Sequence, residues 1–133
     1  MVAHKHPLAH HVDQQKIRDA IGRAERHTTG RIALMLSHHA EDGVLHAARR
    51  AFNRLNMHRT KHRNSVLFFV VPSRRQFAVY GDAAIHDKLG QAFWDRLTPA
   101  MTERIKNEDL TAGVVYGVEE VGRQLAAHFP KDE

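Results

Sequence analysis

The side chains most capable of chemistry lie in one stretch of the chain, residues 57–82. The stretch begins with a loop rich in His, Arg and Lys and ends at Asp82. Between them an uninterrupted apolar run, a Pro-containing turn and a second apolar segment predict a β-hairpin. Because the two ends of a hairpin lie side by side, we expect His62, Arg63 and Asn64 to lie near Asp82. A functional site is therefore expected at this place.

Apolar periodicity predicts the elements that position this hairpin. In order they are a helix at 13–27 capped by Asp13, a strand at 31–37, a helix at 42–56, strands at 65–71 and 76–80, a long helix around 89–105, and a last helix that begins at Asp109. The helix at 42–56 is expected to bury Leu45, Ala48, Phe52 and Leu55. Within the long helix, Pro99 is expected to kink or restart the helix, with Thr98 as the cap.

The order of these elements predicts an α/β fold. A helix joins the first two strands, so these strands should be parallel, whereas the next two form an antiparallel hairpin. We expect a three-layer α/β/α sandwich with a small mixed sheet of three to four strands flanked by about four helices. Residues 1–12 are interpreted as a flexible tail, 13–130 as a single domain, and 131–133 as a frayed end.

This topology also predicts which polar residues can act together. The second strand begins, and the third ends, at one edge of the sheet, and the parallel first strand begins there as well. Thr28 and Thr29, the segment 60–64 and Asp82 should meet at this edge. The neighbouring residues His38 and His39 should lie at the opposite edge, away from Asp82.

The composition narrows the classes of function. The chain has 133 residues, a formal net charge of +5, twelve histidines and no cysteine. Disulfides and thiolate metal sites are therefore excluded within it. Acidic residues are spread along the chain and only 7% of its residues are aromatic, so nucleic-acid binding is not favoured. Without a signal-peptide pattern or an apolar run long enough to span a bilayer, we expect a cytoplasmic protein with no membrane insertion.

Three segments carry a resemblance to a known family. They are Ala24-Glu25-Arg26-His27-Thr28-Thr29-Gly30-Arg31-Ile32, then Ala51-Phe52-Asn53-Arg54-Leu55-Asn56-Met57 leading into Arg63-Asn64-Ser65-Val66-Leu67, and Tyr80-Gly81-Asp82-Ala83-Ala84-Ile85. Their order and spacing over about residues 13–130 resemble the TPM domain family, which includes the thylakoid acid phosphatase and photosystem II repair protein. The Phe93-Trp94 helix and the closing segment 125–130 suit a short, soluble bacterial branch of that family.

The resemblance implies an α/β/α sandwich, in agreement with the pattern-based prediction. It also implies, for some members, divalent cations held near the start of the second strand and in the turn after the third. In this chain those places correspond to Asp82, Asn64 and His62, the candidate ligands for Ca²⁺, Mg²⁺ or Zn²⁺. Calcium takes about 6–8 oxygen ligands, whereas the imidazole of His62 suits zinc better.

Two further interpretations of the same edge remain open. Arg59, Lys61 and Arg63, with Thr29 beside them, are expected to bind an anion such as phosphate or a partner protein. Alternatively, the loop is simply solvated and Asp82 pairs with Arg63.

Two functions follow from these interpretations. The first is a non-catalytic protein-interaction or accessory module in membrane-protein maintenance, with a membrane-associated protein as the partner and a divalent-cation site. The alternative is a metal-assisted phosphatase that acts on phosphomonoesters through Asp82 with His62 or Asn64. The predicted cluster holds no cysteine nucleophile and no paired carboxylates, so the sequence favours the first function and no catalytic residue is assigned.

Overall fold

A computed structural model of the chain describes residues 11–131. Most of the predicted tail and the last two residues lie outside the described residues. The elements are α1 (Gln14–Glu25), β1 (Arg31–Leu36), α2 (Val44–Arg54), β2 (Ser65–Val71), a short 3₁₀ turn (Pro72–Arg74), β3 (Gln76–Gly81), α3 (Ala83–Asn107) and α4 (Leu110–His128).

The three strands form one mixed sheet in the order β1-β2-β3. β1 runs parallel to β2, with Arg31 opposite Ser65, and β3 runs antiparallel to β2, with Gly81 opposite Val66. Every residue of β2 is buried, as expected for a central strand whose apolar run is unbroken. The predicted mixed sheet and its strand directions are confirmed.

The sheet separates two hydrophobic clusters, because successive side chains of β2 point to opposite faces. Leu67, Phe69 and Val71 pack against α2 on one face. Val66, Phe68 and Val70 pack on the other face against α1, α3 and α4. Residues 11–131 therefore form a three-layer α/β/α sandwich with four α-helices, as predicted.

The buried face of α2 differs from the predicted stripe. Its buried residues are Ala47, Ala48, Ala51 and Phe52. Leu45 and Leu55 were expected in the core, but they are 58% and 50% exposed. Leu45 lies in the first turn of the 11-residue helix and lines a groove beside β3, and Leu55 is the C-cap that follows its last residue. The prediction was wrong for these two leucines because periodicity alone does not show which apolar residues of a helix the sheet covers.

Helix α3 also departs from the prediction. It continues through Pro99 without a break, and Thr98 does not cap a new helix. The interruption lies at Gly90, whose φ of 75° and ψ of 163° are not helical. A residue with a side chain rarely adopts this conformation, so the glycine rather than the proline sets the bend.

Close packing of α3 on α4 depends on small residues. A Cβ atom added at Gly117 would lie 2.6 Å from Met101 Sδ and 2.9 Å from a ring carbon of Phe68. Glycine at this position lets α4 approach both α3 and the central strand.

Candidate functional site

The amino ends of β1 and β2 and the end of β3 form one polar edge of the sheet, as the topology predicted. The backbone N–H of Asp82 donates a 2.9 Å hydrogen bond to the carbonyl of Ser65, closing the β2–β3 ladder at this edge. The side-chain amide of Asn64 donates a 3.1 Å hydrogen bond to Thr29 Oγ1. The structure thus brings Thr29, Asn64 and Asp82 together from separate parts of the chain.

Arg63 and Asp82 form the central polar contact of this edge. Arg63 Nε and Nη2 each donate a 2.8 Å hydrogen bond to a different carboxylate oxygen of Asp82. The carboxylate is 5% exposed, whereas the arginine side chain is 50% exposed. The hydrogen bond to Asp82 and then the negative charge of that residue raise the pKa of the Arg63 guanidinium above its ordinary value.

Asp82 has a second structural task, because it is the N-cap of α3. Its Oδ1 accepts a 2.7 Å hydrogen bond from the backbone N–H of Ala83. A carboxylate at the start of a helix also interacts favourably with the helix dipole. Both oxygens of Asp82 are therefore occupied by protein donors.

The threonine pair is divided between two roles. Thr28 is 2% exposed, and its hydroxyl donates to the carbonyls of Leu125 and Phe129 and accepts from the N–H of Gly30. These bonds fasten the turn before β1 to the end of α4. Thr29, in contrast, faces Asn64 and belongs to the polar edge.

The loop before β2 presents its cations to solvent. Arg59, Lys61 and His62 are exposed. Arg59 and Lys61 have no carboxylate within 4.0 Å among residues 11–131. His58 Nδ1 and Thr60 Oγ1 are buried and have no hydrogen-bond partner among the residues that the structure describes. Thr60 was not among the site residues predicted from the sequence, because nothing in the pattern around a single threonine in a polar loop indicates that its hydroxyl is buried.

Backbone geometry also marks this loop. Asn56 and Arg63 have φ values of 59° and 51°, in the left-handed region that non-glycine residues seldom adopt. The second of these is the residue that pairs with Asp82. The pair and the ladder bond at Ser65 therefore hold the loop in a conformation that its own backbone does not favour.

The donors at the edge do not form the ligand set of a divalent cation as they stand. A cation bound by both carboxylate oxygens of Asp82 would have to displace Arg63. His62 is exposed, and within the described part of the chain no three His, Asp or Glu side chains lie close enough together to hold a metal ion. The assignment of Asp82, Asn64 and His62 to a metal stays a prediction.

One carboxylate near this edge was missed from the sequence. Glu25, at the end of α1, accepts a 2.8 Å hydrogen bond from the N–H of Ile32, and its Oε2 lies 3.9 Å from Arg31 Nε. The side chain is thereby committed to the start of β1. The sequence offered only a surface glutamate in the last turn of a helix, and the contact depends on how α1 packs.

His38 and His39 lie after the end of β1, at the opposite edge of the sheet, and both are exposed. Their backbone carbonyls accept hydrogen bonds from Ser73 and Ser37, respectively. The prediction that these histidines lie away from Asp82 is therefore confirmed.

The fold and its polar edge define the class of this protein, which is a small α/β/α domain with polar residues at one edge of its sheet. The sequence profile of the TPM domain matches residues 10–124, and the chain belongs to this family. No curated protein matches the chain.

Two solved structures are similar to this one. The NMR structure of the BA42 protein from the psychrophilic bacterium Bizionia argentinensis has 34% sequence identity and a TM-score of 0.82, over 92% of this chain and 86% of that chain. The N-terminal domain of the cg2496 protein from Corynebacterium glutamicum has a TM-score of 0.57 over 89% of this chain and 74% of that chain. Its 18% identity shows a shared fold alone.

No helix within residues 11–131 combines the length and the apolar character needed to cross a bilayer.

Proposed function

We propose that this TPM domain is a non-catalytic binding module that engages a partner protein through the cationic loop at its polar edge. The observation that supports the proposal is the burial and hydrogen bonding of the Asp82 carboxylate. It is the only buried carboxylate in the described part of the chain, and Arg63 and the N–H of Ala83 occupy its oxygens. A general base or a nucleophile must reach the substrate, whereas the carboxylate of Asp82 is 5% exposed and accepts three hydrogen bonds from the protein, an arrangement that suits a structural role.

The charge of the surrounding surface supports an acidic partner. Residues 43–81 contain eight Arg and Lys residues and no Asp or Glu, and all eight side chains are exposed. Arg59 and Lys61 belong to the loop that leads to Arg63 and Asn64, and the side chain of Asn64 bonds to Thr29 at the polar edge. Guanidinium and ammonium groups without protein counterions recognise carboxylate or phosphate groups. The partner class is thus a protein with an acidic segment, and membrane-protein maintenance makes a membrane-associated protein the first to test.

A fluorescent acidic peptide, such as a glutamate decamer, tests the binding surface. Replacing Arg59 and Lys61 together by alanine should weaken binding by about tenfold, because two direct charge contacts are lost. The matched control replaces Lys88 and Arg96, two exposed cations of α3, and changes the net charge by the same amount. Equal weakening in both double variants would show general attraction to a basic protein and would overturn the assignment to this loop.

Hydrolysis of a phosphomonoester with added Mg²⁺, Mn²⁺, Zn²⁺ or Ca²⁺ tests the non-catalytic part of the proposal. We expect no metal-dependent turnover above that of buffer. Turnover that is abolished by Asp82→Asn and retained by Asp87→Asn would establish the phosphatase alternative instead. Asp87 is a suitable control because it is an exposed aspartate of the same helix.

The predicted divalent-cation site has its own readout. If Asp82, Asn64 and His62 bind an ion, added Ca²⁺, Mg²⁺ or Zn²⁺ raises the melting temperature of the wild-type protein. The increase would disappear in Asp82→Asn and persist in Asp87→Asn. A melting temperature that does not change with any of the three ions removes the cation from the proposal.

A further inference from the structure

β3 is an edge strand without the usual protection against pairing. Within residues 11–131, β1 and β3 form the two edges of the sheet and β2 lies between them. The sequence of β3, Gln76-Phe77-Ala78-Val79-Tyr80-Gly81, contains no charge and no proline. Its six residues pair with β2 in an unbroken register, so no bulge turns the edge away. Natural edge strands commonly use these devices to avoid pairing with another chain.

The free hydrogen-bonding groups in the middle of this edge can be assigned to two residues. In an antiparallel pair, residues that exchange hydrogen bonds alternate with residues that do not. The bond from Asp82 N–H to the Ser65 carbonyl fixes the alternation, so Tyr80 and Ala78 bond to β2. The N–H and C=O groups of Phe77 and Val79 therefore point away from β2. No hydrogen bond to them is found among residues 11–131.

An apolar groove runs beside these free groups. Its volume is about 440 Å³, and its walls come from the start of α2, from β3 and from α3. Leu45 of α2 and Trp94 of α3 face each other across it, with Phe77 and Val79 along the strand. Leu45 is 58% exposed, the highest value among the large apolar side chains of the described residues. The groove explains why this leucine of α2 does not join the core.

We propose that the occupant of this groove is β3 of a second copy of the chain, paired antiparallel about a two-fold axis at Ala78. In that register, Phe77 of one copy and the partner's Val79 exchange two hydrogen bonds, and the symmetry repeats them. Four hydrogen bonds then join the two sheets into one sheet of six strands. The small side chain of Ala78 stands at the axis, where the two strands approach each other most closely.

The charges at the two ends of β3 suit this antiparallel arrangement. Arg74 and Arg75 precede the strand, are exposed, and have no carboxylate within 4.0 Å among the described residues. Asp87 follows the strand at the start of α3, is exposed, and has no cation within the same distance there. Antiparallel pairing brings the two arginines of each copy to the end that carries the partner's Asp87. Parallel stacking would place like charges together.

Sedimentation velocity over a range of about 5 to 500 µM tests the proposal. We expect a concentration-dependent shift from the 15.2 kDa monomer to twice that mass. Leu45→Lys should raise the dimer dissociation constant by about tenfold or more, because it places a charge in the groove. Leu55→Lys is the matched control, since Leu55 is a similarly exposed leucine of α2 outside the groove. Equal loss of the dimer in both variants would overturn the assignment.

Hydrogen exchange provides a second measurement that does not depend on any variant. Raising the protein concentration through the transition should slow exchange of the Phe77 and Val79 amides and leave the already bonded amides of Ala78 and Tyr80 unchanged. A wild-type protein that stays monomeric at 500 µM would overturn the proposal and leave the groove to an extended peptide or another ligand. A dimer in which the Phe77 and Val79 amides gain no protection would equally contradict it.

Discussion

Arg63 binds both carboxylate oxygens of Asp82, nineteen residues later in the chain, through two 2.8 Å hydrogen bonds. Arg63 precedes β2 and Asp82 follows β3, so the two residues lie side by side at the open end of the hairpin. Their pairing therefore joins the loop before β2 to the N-cap of α3. A buried carboxylate and a half-exposed guanidinium make this contact part of the fold, while leaving the outer surface of Arg63 available to solvent.

Removing Arg63 should destabilise the protein although the residue is exposed. Arg63→Ala leaves the buried carboxylate of Asp82 without its cation, and the melting temperature should fall clearly. Arg63→Lys should recover only part of the loss, because an ammonium group cannot make the two-pronged contact. Arg59, which is exposed and has no carboxylate within 4.0 Å in the described part of the chain, provides the control, and Arg59→Ala should have the melting temperature of the wild-type protein.

A double variant separates the pair from the cap. Asp82→Asn retains a side chain that caps helices well, whereas Asp82→Ala also loses the cap, which is worth about 1 kcal/mol. In Asp82→Asn, further replacement of Arg63 by alanine should change the melting temperature little, because no charge remains to be neutralised. Additive losses in this double variant would show that the two side chains stabilise the protein independently.

Two glycines should respond in opposite directions to alanine. Gly117→Ala places a methyl group against Met101 and Phe68, and we expect a loss of about 1–3 kcal/mol from overpacking. Gly22 lies within α1 with no atom within 4 Å of an added Cβ, so Gly22→Ala should gain about 0.5–1 kcal/mol from helix propensity. Urea denaturation measures both changes, and a neutral Gly117→Ala would contradict the close approach of α4.

The bend in α3 can be tested by exchanging its two unusual residues in turn. Gly90→Ala forces a side chain into a positive φ and should cost about 1–3 kcal/mol. Pro99→Ala restores a helical N–H and should recover part of the roughly 3 kcal/mol that proline costs inside a helix. If thermal denaturation showed Pro99→Ala to be the more damaging change, the proline and not the glycine would organise the helix.

The buried face of α2 has a similarly direct test. Phe52→Ala removes a ring that is 1% exposed and should cost about 3–5 kcal/mol. Leu55→Ala, predicted from periodicity to be equally severe, should fall within about 0.5 kcal/mol of the wild type because its side chain is half exposed. Equal losses of stability in the two variants, measured by urea denaturation, would show that Leu55 is buried with Phe52, as the periodicity predicted.

Much of the fold was predictable because local patterns and topology agree. The unbroken apolar run of β2 required burial on both faces, the α2 crossover required β1 to be parallel to β2, and aspartates at 13 and 109 marked helix starts. The edge at which Thr29, Asn64 and Asp82 meet followed from strand direction. The partner of Asp82 could not be predicted in the same way. Strand direction brings residues near one another, but it does not indicate whether Arg63, a metal ion or water binds the carboxylate.

The order of the elements, the mixed sheet and the family could all be predicted from the sequence without the structure. The surplus of cations between residues 43 and 81 is likewise a property of the sequence. These depend on periodicity, turn chemistry and composition, which are local properties of the chain. Three features became apparent from the tertiary structure alone. Arg63 pairs with the carboxylate of Asp82, Gly90 interrupts α3, and Leu45 lines a groove beside β3. Each of these depends on distances between elements remote in sequence, and such distances are set by how the layers pack.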